Sequence, residues 1–275
     1  MLPAYLLSLR EGIEAALIIG IVLGALRKMR RTDLVPAVWS GVAAAAVISL
    51  GSAVFLTIFG LELEGTAEPI FEGFTMLLAA CVLTWMIFWM SRQSRHIKGE
   101  LEAGVSRAAA TTGRRALFGL AFVAVVREGI ELALFLAAAA FASSAQQTVI
   151  GGLLGLGTAA LLGWSLFAST ARLDLRRFFR VTGFLLILFA AGLVAHSVHE
   201  FNEVGWIPSL VEHVWDLNPI LSEKSVLGEM LVALFGYNGN PSLSEVLAYV
   251  AYYAAIFLGL RWSDRRAEKA LGQIA

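Results

Sequence analysis

A five-residue sequence occurs twice in this chain, as Arg10-Glu11-Gly12-Ile13-Glu14 and Arg127-Glu128-Gly129-Ile130-Glu131, with 117 residues between corresponding positions. Both copies interrupt apolar runs. At about 100° per residue on a helix, the arginine and both glutamates of each copy fall in one arc, the glutamates at i, i+3 and the arginine with the second glutamate at i, i+4. Each copy therefore points two carboxylates and one guanidinium the same way. Ionisable groups in hydrocarbon cost about 2.5–3.5 kcal/mol each, roughly 15–20 kcal/mol for the six if isolated, so pairing must offset much of this. If Arg10 pairs with Glu14 and Arg127 with Glu131, then Glu11 and Glu128 remain, a formal charge of −2 awaiting a cation or protons. Four carboxylates around one cavity suit a hard, oxygen-seeking metal ion. The same residues could form a proton relay or an ion-pair network joining two helices. Gly12 and Gly129 permit close helix approach beside the acids.

A second cluster, His196, His199, Glu200 and Glu203, lies in AHSVHEFNE, where His196 shares a helical face with Glu200, and His199 with Glu203. It is either a site where a metal is first held or a polar helix end. Glu72 is a further candidate ligand of that kind. His96 and His213 read as solvated loop histidines, and Cys81 as a core residue. With one cysteine there is no disulfide framework and no CxxC motif.

These residues must be positioned by membrane helices. Of the 275 residues, 58% are hydrophobic and 15% charged, against about 45–50% and 25% in soluble domains, which excludes a soluble enzyme. Seven apolar spans are predicted, at about 4–26, 35–59, 69–90, 116–141, 149–170, 178–199 and 243–262, each long enough to cross about 30 Å of hydrocarbon. Periodicity excludes an outer-membrane barrel. The first run lacks a basic n-region and carries Arg10, Glu11 and Glu14, so it reads as a permanent helix rather than a cleaved signal.

Eighteen of the 21 basic residues fall on one side of these spans, leaving Arg10, Arg127 and Lys224. The positive-inside rule then puts the N-terminus outside and the C-terminus in the cytoplasm. Eleven of the 21 acids fall outside and six inside, so the zero net charge divides into about −10 outside, +12 inside and −2 in the two motifs. An acidic outer face concentrates cations, and a neutral total argues against a nucleic-acid partner.

Three spans separate the motif copies, so helices 1–3 and 4–6 are expected to have inverted topologies, as in many secondary transporters with midplane sites. The expected fold is thus an all-α integral membrane protein with seven transmembrane helices, N-terminus outside, an inverted repeat and one extra C-terminal helix. As a single membrane domain over 1–275, it divides into repeat one at about 1–91, repeat two at about 116–200, an outer loop at about 201–241, helix seven at about 243–262 and a cytoplasmic tail at 263–275. Within the outer loop, residues 226–236 are too few to span and read as an interfacial or re-entrant piece. Ser242 and Glu245 have capping-box spacing. Trp39, Trp85, Trp89 and Trp262 read as anchors at the inner boundary, and Gly151 with Gly155 as a helix-packing pair.

The doubled Arg-Glu-Gly-Ile-Glu, in the first and fourth of seven helices with the N-terminus outside, resembles the oxidase-dependent iron permease family, which includes fungal high-affinity iron permeases and bacterial EfeU-type permeases. The resemblance spans essentially the whole chain. It implies inward iron transport across a cell membrane, with iron as the transported substrate and no permanent cofactor. Carried over to this sequence, the metal ligands would be Glu11, Glu14, Glu128 and Glu131, with Arg10 and Arg127 orienting them and balancing charge. Glu200 and Glu203 look similar to acidic outer motifs of fungal members, though their placement differs. The implied partners are the lipid bilayer and a separate extracytoplasmic ferroxidase, cupredoxin or peroxidase-type protein that supplies iron; a homo-oligomer is compatible with the sequence. Two other readings use the same carboxylates: a permease for another divalent cation such as manganese or lead, and a membrane di-iron carboxylate enzyme. The enzyme is disfavoured because such sites usually supply Glu-x-x-His pairs, and the first and fourth spans contain no histidine.

Overall fold

The computed structural model describes residues 1–93, 103–107, 113–168, 175–223 and 225–272. His96, Arg95, Lys98, Arg172 and Lys224 lie outside the described residues, as does the end of the C-terminal tail, residues 273–275.

The chain folds into long helices: α1 (Leu2–Lys28), α2 (Val35–Glu62), α3 (Ala67–Gln93), α4 (Arg114–Phe141), α5 (Ala145–Ala168), α6 (Leu175–Glu203), the short α7 (Val226–Phe235) and α8 (Leu243–Gly272). Proline in the first turn opens α1 and α2, where its missing N–H costs nothing. A reciprocal capping box opens α8: Glu245 N–H donates to Ser242 Oγ (3.3 Å) and Ser242 N–H to Glu245 Oε1 (3.2 Å). The 226–236 run is helical only over ten residues, capped by Ser225 Oγ, which accepts from Gly228 N–H, and by Gly236 in the left-handed region.

Among the described residues, five helices are long and apolar enough to cross a membrane, namely α2, α3, α5, α6 and α8. The two other long helices, α1 and α4, fall outside that count because each carries Arg-Glu-Gly-Ile-Glu near its middle. Both are nonetheless central. One core joins Leu7 of α1, Met76, Leu83 and Met86 of α3, Phe135 of α4, and Leu186, Phe189 and Leu193 of α6. A second joins Val22 and Leu26 of α1 to Val38 of α2 and Leu117 of α4. By contrast α2 and α8 expose apolar side chains such as Val47, Leu50, Phe55 and Leu258, the surface a bilayer would solvate. Cys81, expected in the core, is exposed on α3. It occupies the outward stripe with Leu78 and Trp85, a face that uniform apolarity leaves unmarked in a sequence.

The most extensive helix pairs are α2 with α4 and α1 with α5. Glycine makes both possible. A Cβ on Gly41 would stand 2.6 Å from Phe118 O, and one on Gly151 would collide with Met1 O. Gly155, the partner of Gly151 in sequence, meets the Tyr5 carbonyl in the same way.

Candidate metal-ion site

The motifs meet where α1 passes α4. Helical spacing fixes one contact within each copy: Arg10 Nε donates to Glu14 Oε1 (3.0 Å), and Arg127 Nε to Glu131 Oε1 (2.9 Å). Helix packing fixes the rest. One carboxylate oxygen from each of Glu11, Glu128 and Glu131 lies within 4.8 Å of the other two. Glu14 is the one motif glutamate outside this group.

Glu11 is 1% exposed and Glu128 5%. Both oxygens of Glu11, with Oε2 of Glu128 and of Glu131, are buried and face no hydrogen-bond donor. Native proteins rarely leave such atoms unsatisfied without a functional reason. At about 5 Å and an effective dielectric of about 20, each pair of ionised carboxylates repels by about 3 kcal/mol. One cation reverses the sign. Three oxygens no more than 4.8 Å apart fit within a circle of radius about 2.8 Å, close to the roughly 2.0–2.6 Å of metal–oxygen bonds to hard divalent ions. A single ion can therefore reach all three with small adjustments.

The motif glycines bring the walls together. A Cβ on Gly12 would lie 2.6 Å from Ala159 Cβ of α5, and one on Gly129 would overlap Ser49 of α2. Thus α1 is held against α5, and α4 against α2, on either side of the acids.

The two arginines are not equivalent. Arg10 is buried with its side chain 2% exposed, whereas that of Arg127 is 40% exposed. The Arg127 guanidinium lies over the Trp89 ring, 4.9 Å from its centroid. Trp89, read from sequence as an anchor, therefore touches the motif. Trp39 and Trp85 are exposed on the surface as anchors would be, and the side chain of Trp262 lies outside the description. Ser49 and Trp89 come from other helices, so no spacing in the sequence could have linked them to the site.

The second cluster is built differently. His199 Nδ1 lies 3.1 Å from Glu245 Oε1 and its Nε2 3.5 Å from Glu203 Oε1. Glu245 is fully engaged, accepting also from Ser242 Oγ (2.9 Å) and Asn238 Nδ2 (2.7 Å). His196 Nδ1 is 3.0 Å from Gly192 O of its own helix. Glu200 packs its Cβ near Gly73, on the face of α3 beside Glu72. Among the described residues these side chains do not form a close three-ligand group; the glutamates of the two motifs do. The cluster pins the loop before α8 onto α6, a tie reinforced by the hydrogen bond between the Asn202 side-chain amide and Ser242 Oγ (2.9 Å). His213 is exposed on that loop.

A multi-pass helical membrane protein with unsatisfied carboxylates gathered between two of its central helices is the class defined by this fold and site. The chain matches the iron permease FTR1 family over residues 1–268 and belongs to it. It is 36% identical to the ferrous iron permease EfeU of Escherichia coli O157:H7 over 254 residues, 92% of each chain. The identity is the same to ferrous iron permease EfeU of Yersinia pestis over 255 residues, 92% of this chain and 90% of that one. These relatives are permeases, and the chain accordingly belongs with transporters rather than enzymes. No solved structure matches it.

Proposed function

We infer that this protein is an iron permease that moves iron inward across the cell membrane through a site formed by Glu11, Glu14, Glu128 and Glu131. The observation that carries the reading is the convergence of Glu11, Glu128 and Glu131 within 4.8 Å, with buried oxygens that face no donor. Family membership and the naming of relatives as ferrous iron permeases support iron as the cargo.

In this reading α1 and α4 also cross the membrane, giving seven spans, with the N-terminus outside as the basic residues predict. Helices α1–α3 and α4–α6 form an inverted repeat. Paired contacts support it: Gly41 meets Phe118 O and Ala121, while Gly151 meets Met1 O and Ala4. The offset is 117 residues between α1 and α4 positions and 110 between α2 and α5 positions in every such pair. Gly12 against Ala159 and Gly129 against Ser49 obey the same two offsets. Alternating access would then expose a midplane site to each face in turn.

Arg10 and Arg127 hold Glu14 and Glu131 and limit the net charge of the empty site to −2. Iron would arrive from an extracytoplasmic ferroxidase, cupredoxin or peroxidase-type protein at the acidic outer face, where Glu72, His196, His199, Glu200 and Glu203 lie. Uptake of radioactive iron by proteoliposomes tests the site. Glu11→Gln or Glu128→Gln should lower it on the order of a hundredfold, since each removes a buried charge partner of the ion, with the protein still present and folded. Normal uptake in both variants would sink the proposal. Competition by manganese in the same vesicles would measure how far the site prefers iron.

A further inference from the structure

One turn before Glu11, Ser8 is completely buried, and its Oγ has no hydrogen-bond partner. A serine or threonine inside a helix can donate to a carbonyl of the preceding turn, as Ser49, Thr84, Ser143, Thr158 and Ser197 do in this chain. Ser8 does not. Its Oγ is turned into the junction of α1, α4 and α5: a Cβ on Gly152 of α5 would stand 3.4 Å from it and 3.4 Å from Leu136 Cδ1 of α4. Gly155 leaves room for the serine, since a Cβ there would lie 2.8 Å from Ser8 Cβ. The repeat supplies a control. At the offsets of 117 and 110 residues, Ser8, Gly152 and Gly155 correspond to Val125, Val42 and Ala45. There the same crossing is apolar, so helix packing at this position requires neither a hydroxyl nor glycines.

Residues three apart on a helix are neighbours, with Cβ atoms about 5–6 Å from each other, as Ser8 and Glu11 are on α1. Long helical side chains lean toward the helix N-terminus, which inclines Glu11 over the turn that carries Ser8. Both Glu11 oxygens are likewise buried without a donor. A hydroxyl and a carboxylate that are neighbours yet do not hydrogen-bond are spaced as co-ligands are, because oxygens around one hard ion stand about 3–4 Å apart. We propose that Ser8 Oγ is a further ligand of the transported ion, a neutral oxygen added to the carboxylates of Glu11, Glu128 and Glu131. A hard divalent ion takes about six oxygens, so three carboxylate oxygens leave places open. The hydroxyl fills one without adding charge to the seam. Val125 offers no such oxygen at the equivalent place, so in the topology proposed above the ion meets the hydroxyl on the outer side only.

This inference rests on the glutamate site proposed above, and one set of variants separates the two. In a shared Cys81→Ser background, binding of ferrous iron and of cadmium to the purified full-length protein in detergent is measured by anaerobic equilibrium dialysis. The variants are Ser8→Ala, Ser8→Cys and Glu11→Gln. Ser8→Ala should bind ferrous iron about tenfold more weakly. Ser8→Cys puts a soft sulfur in place of a hard oxygen and should raise the ratio of cadmium to iron affinity at least about tenfold. A hydroxyl that only lines the helix crossing predicts otherwise: Ser8→Ala would then remove a buried group without a partner, raise the thermal unfolding midpoint and leave iron binding unchanged. Unchanged iron affinity in Ser8→Ala, or an unchanged ratio in Ser8→Cys, overturns the ligand while a defective Glu11→Gln leaves the glutamate site standing. Background-level affinity in Glu11→Gln overturns the site itself. If Ser8→Cys elutes aggregated in gel filtration, the iron affinity of Ser8→Ala decides.

Discussion

Within each motif copy, what the sequence can specify is local. The i, i+4 spacing of Arg10 with Glu14 and of Arg127 with Glu131 dictates an ion pair that any helix would make, and both pairs are present at about 3 Å. Which glutamates converge, and how deeply each arginine is buried, depends on neighbouring helices and could not be read from identical five-residue strings. The difference has a measurable consequence. Arg10→Met strands Glu14 as a buried charge and should cost about 3–5 kcal/mol, seen as a lower thermal unfolding midpoint in detergent. Arg127→Met should cost less, since its side chain is 40% exposed and its stacking on Trp89 contributes only about 0.5–2 kcal/mol. Equal losses would contradict the burial difference. His199 teaches the same lesson at another position: its helical neighbour Glu203 is legible from spacing, but its closer partner Glu245 stands 46 residues away on α8.

Helices were legible because apolar runs of this length in so uncharged a chain have few alternatives, and their ends agree with the structure to within about four residues except at α8, which continues ten residues past the predicted end at 262. Their contacts were legible only through glycine, and then only in part. Gly151 and Gly155 read as a packing pair, and they do seat α1; Gly41 stands alone in sequence and yet does the same for α4. Substitution should separate such positions from idle ones. Gly41→Ala forces a methyl against the Phe118 carbonyl and should destabilise the protein by about 1–3 kcal/mol. Gly51→Ala on the same helix meets nothing within 4 Å, and should stabilise by about 0.5–1 kcal/mol through helix propensity. Thermal unfolding of the two variants side by side checks this. Gly129→Ala should be destabilised likewise, and a second change, Ser49→Gly, should recover part of the loss by removing the atoms its methyl strikes. The outward stripe of α3 that carries Cys81 was not legible, because on a helix apolar all round the lipid face and the core face have the same composition.

For the molecule as a whole, topology is an electrostatic statement and can be tested as one. With Cys81→Ser as background, a cysteine at Ser144, between α4 and α5, should react with a membrane-impermeant maleimide in intact cells. One at Thr32, between α1 and α2, should react only after permeabilisation. The opposite pattern would invert the assignment drawn from the basic residues. The buried charge has a further consequence, in the currency of electrical work. Four glutamates and two arginines give the empty seam a formal −2, which one divalent ion cancels. Under the proposed function the loaded carrier would turn inward as a neutral body, while the empty one would return outward as an anion. A membrane negative inside drives that return, contributing about 2.3 kcal/mol per charge for each 100 mV. The voltage-sensitive half of that cycle would be the one in which nothing is carried, and each completed turnover would register as two positive charges entering the cell.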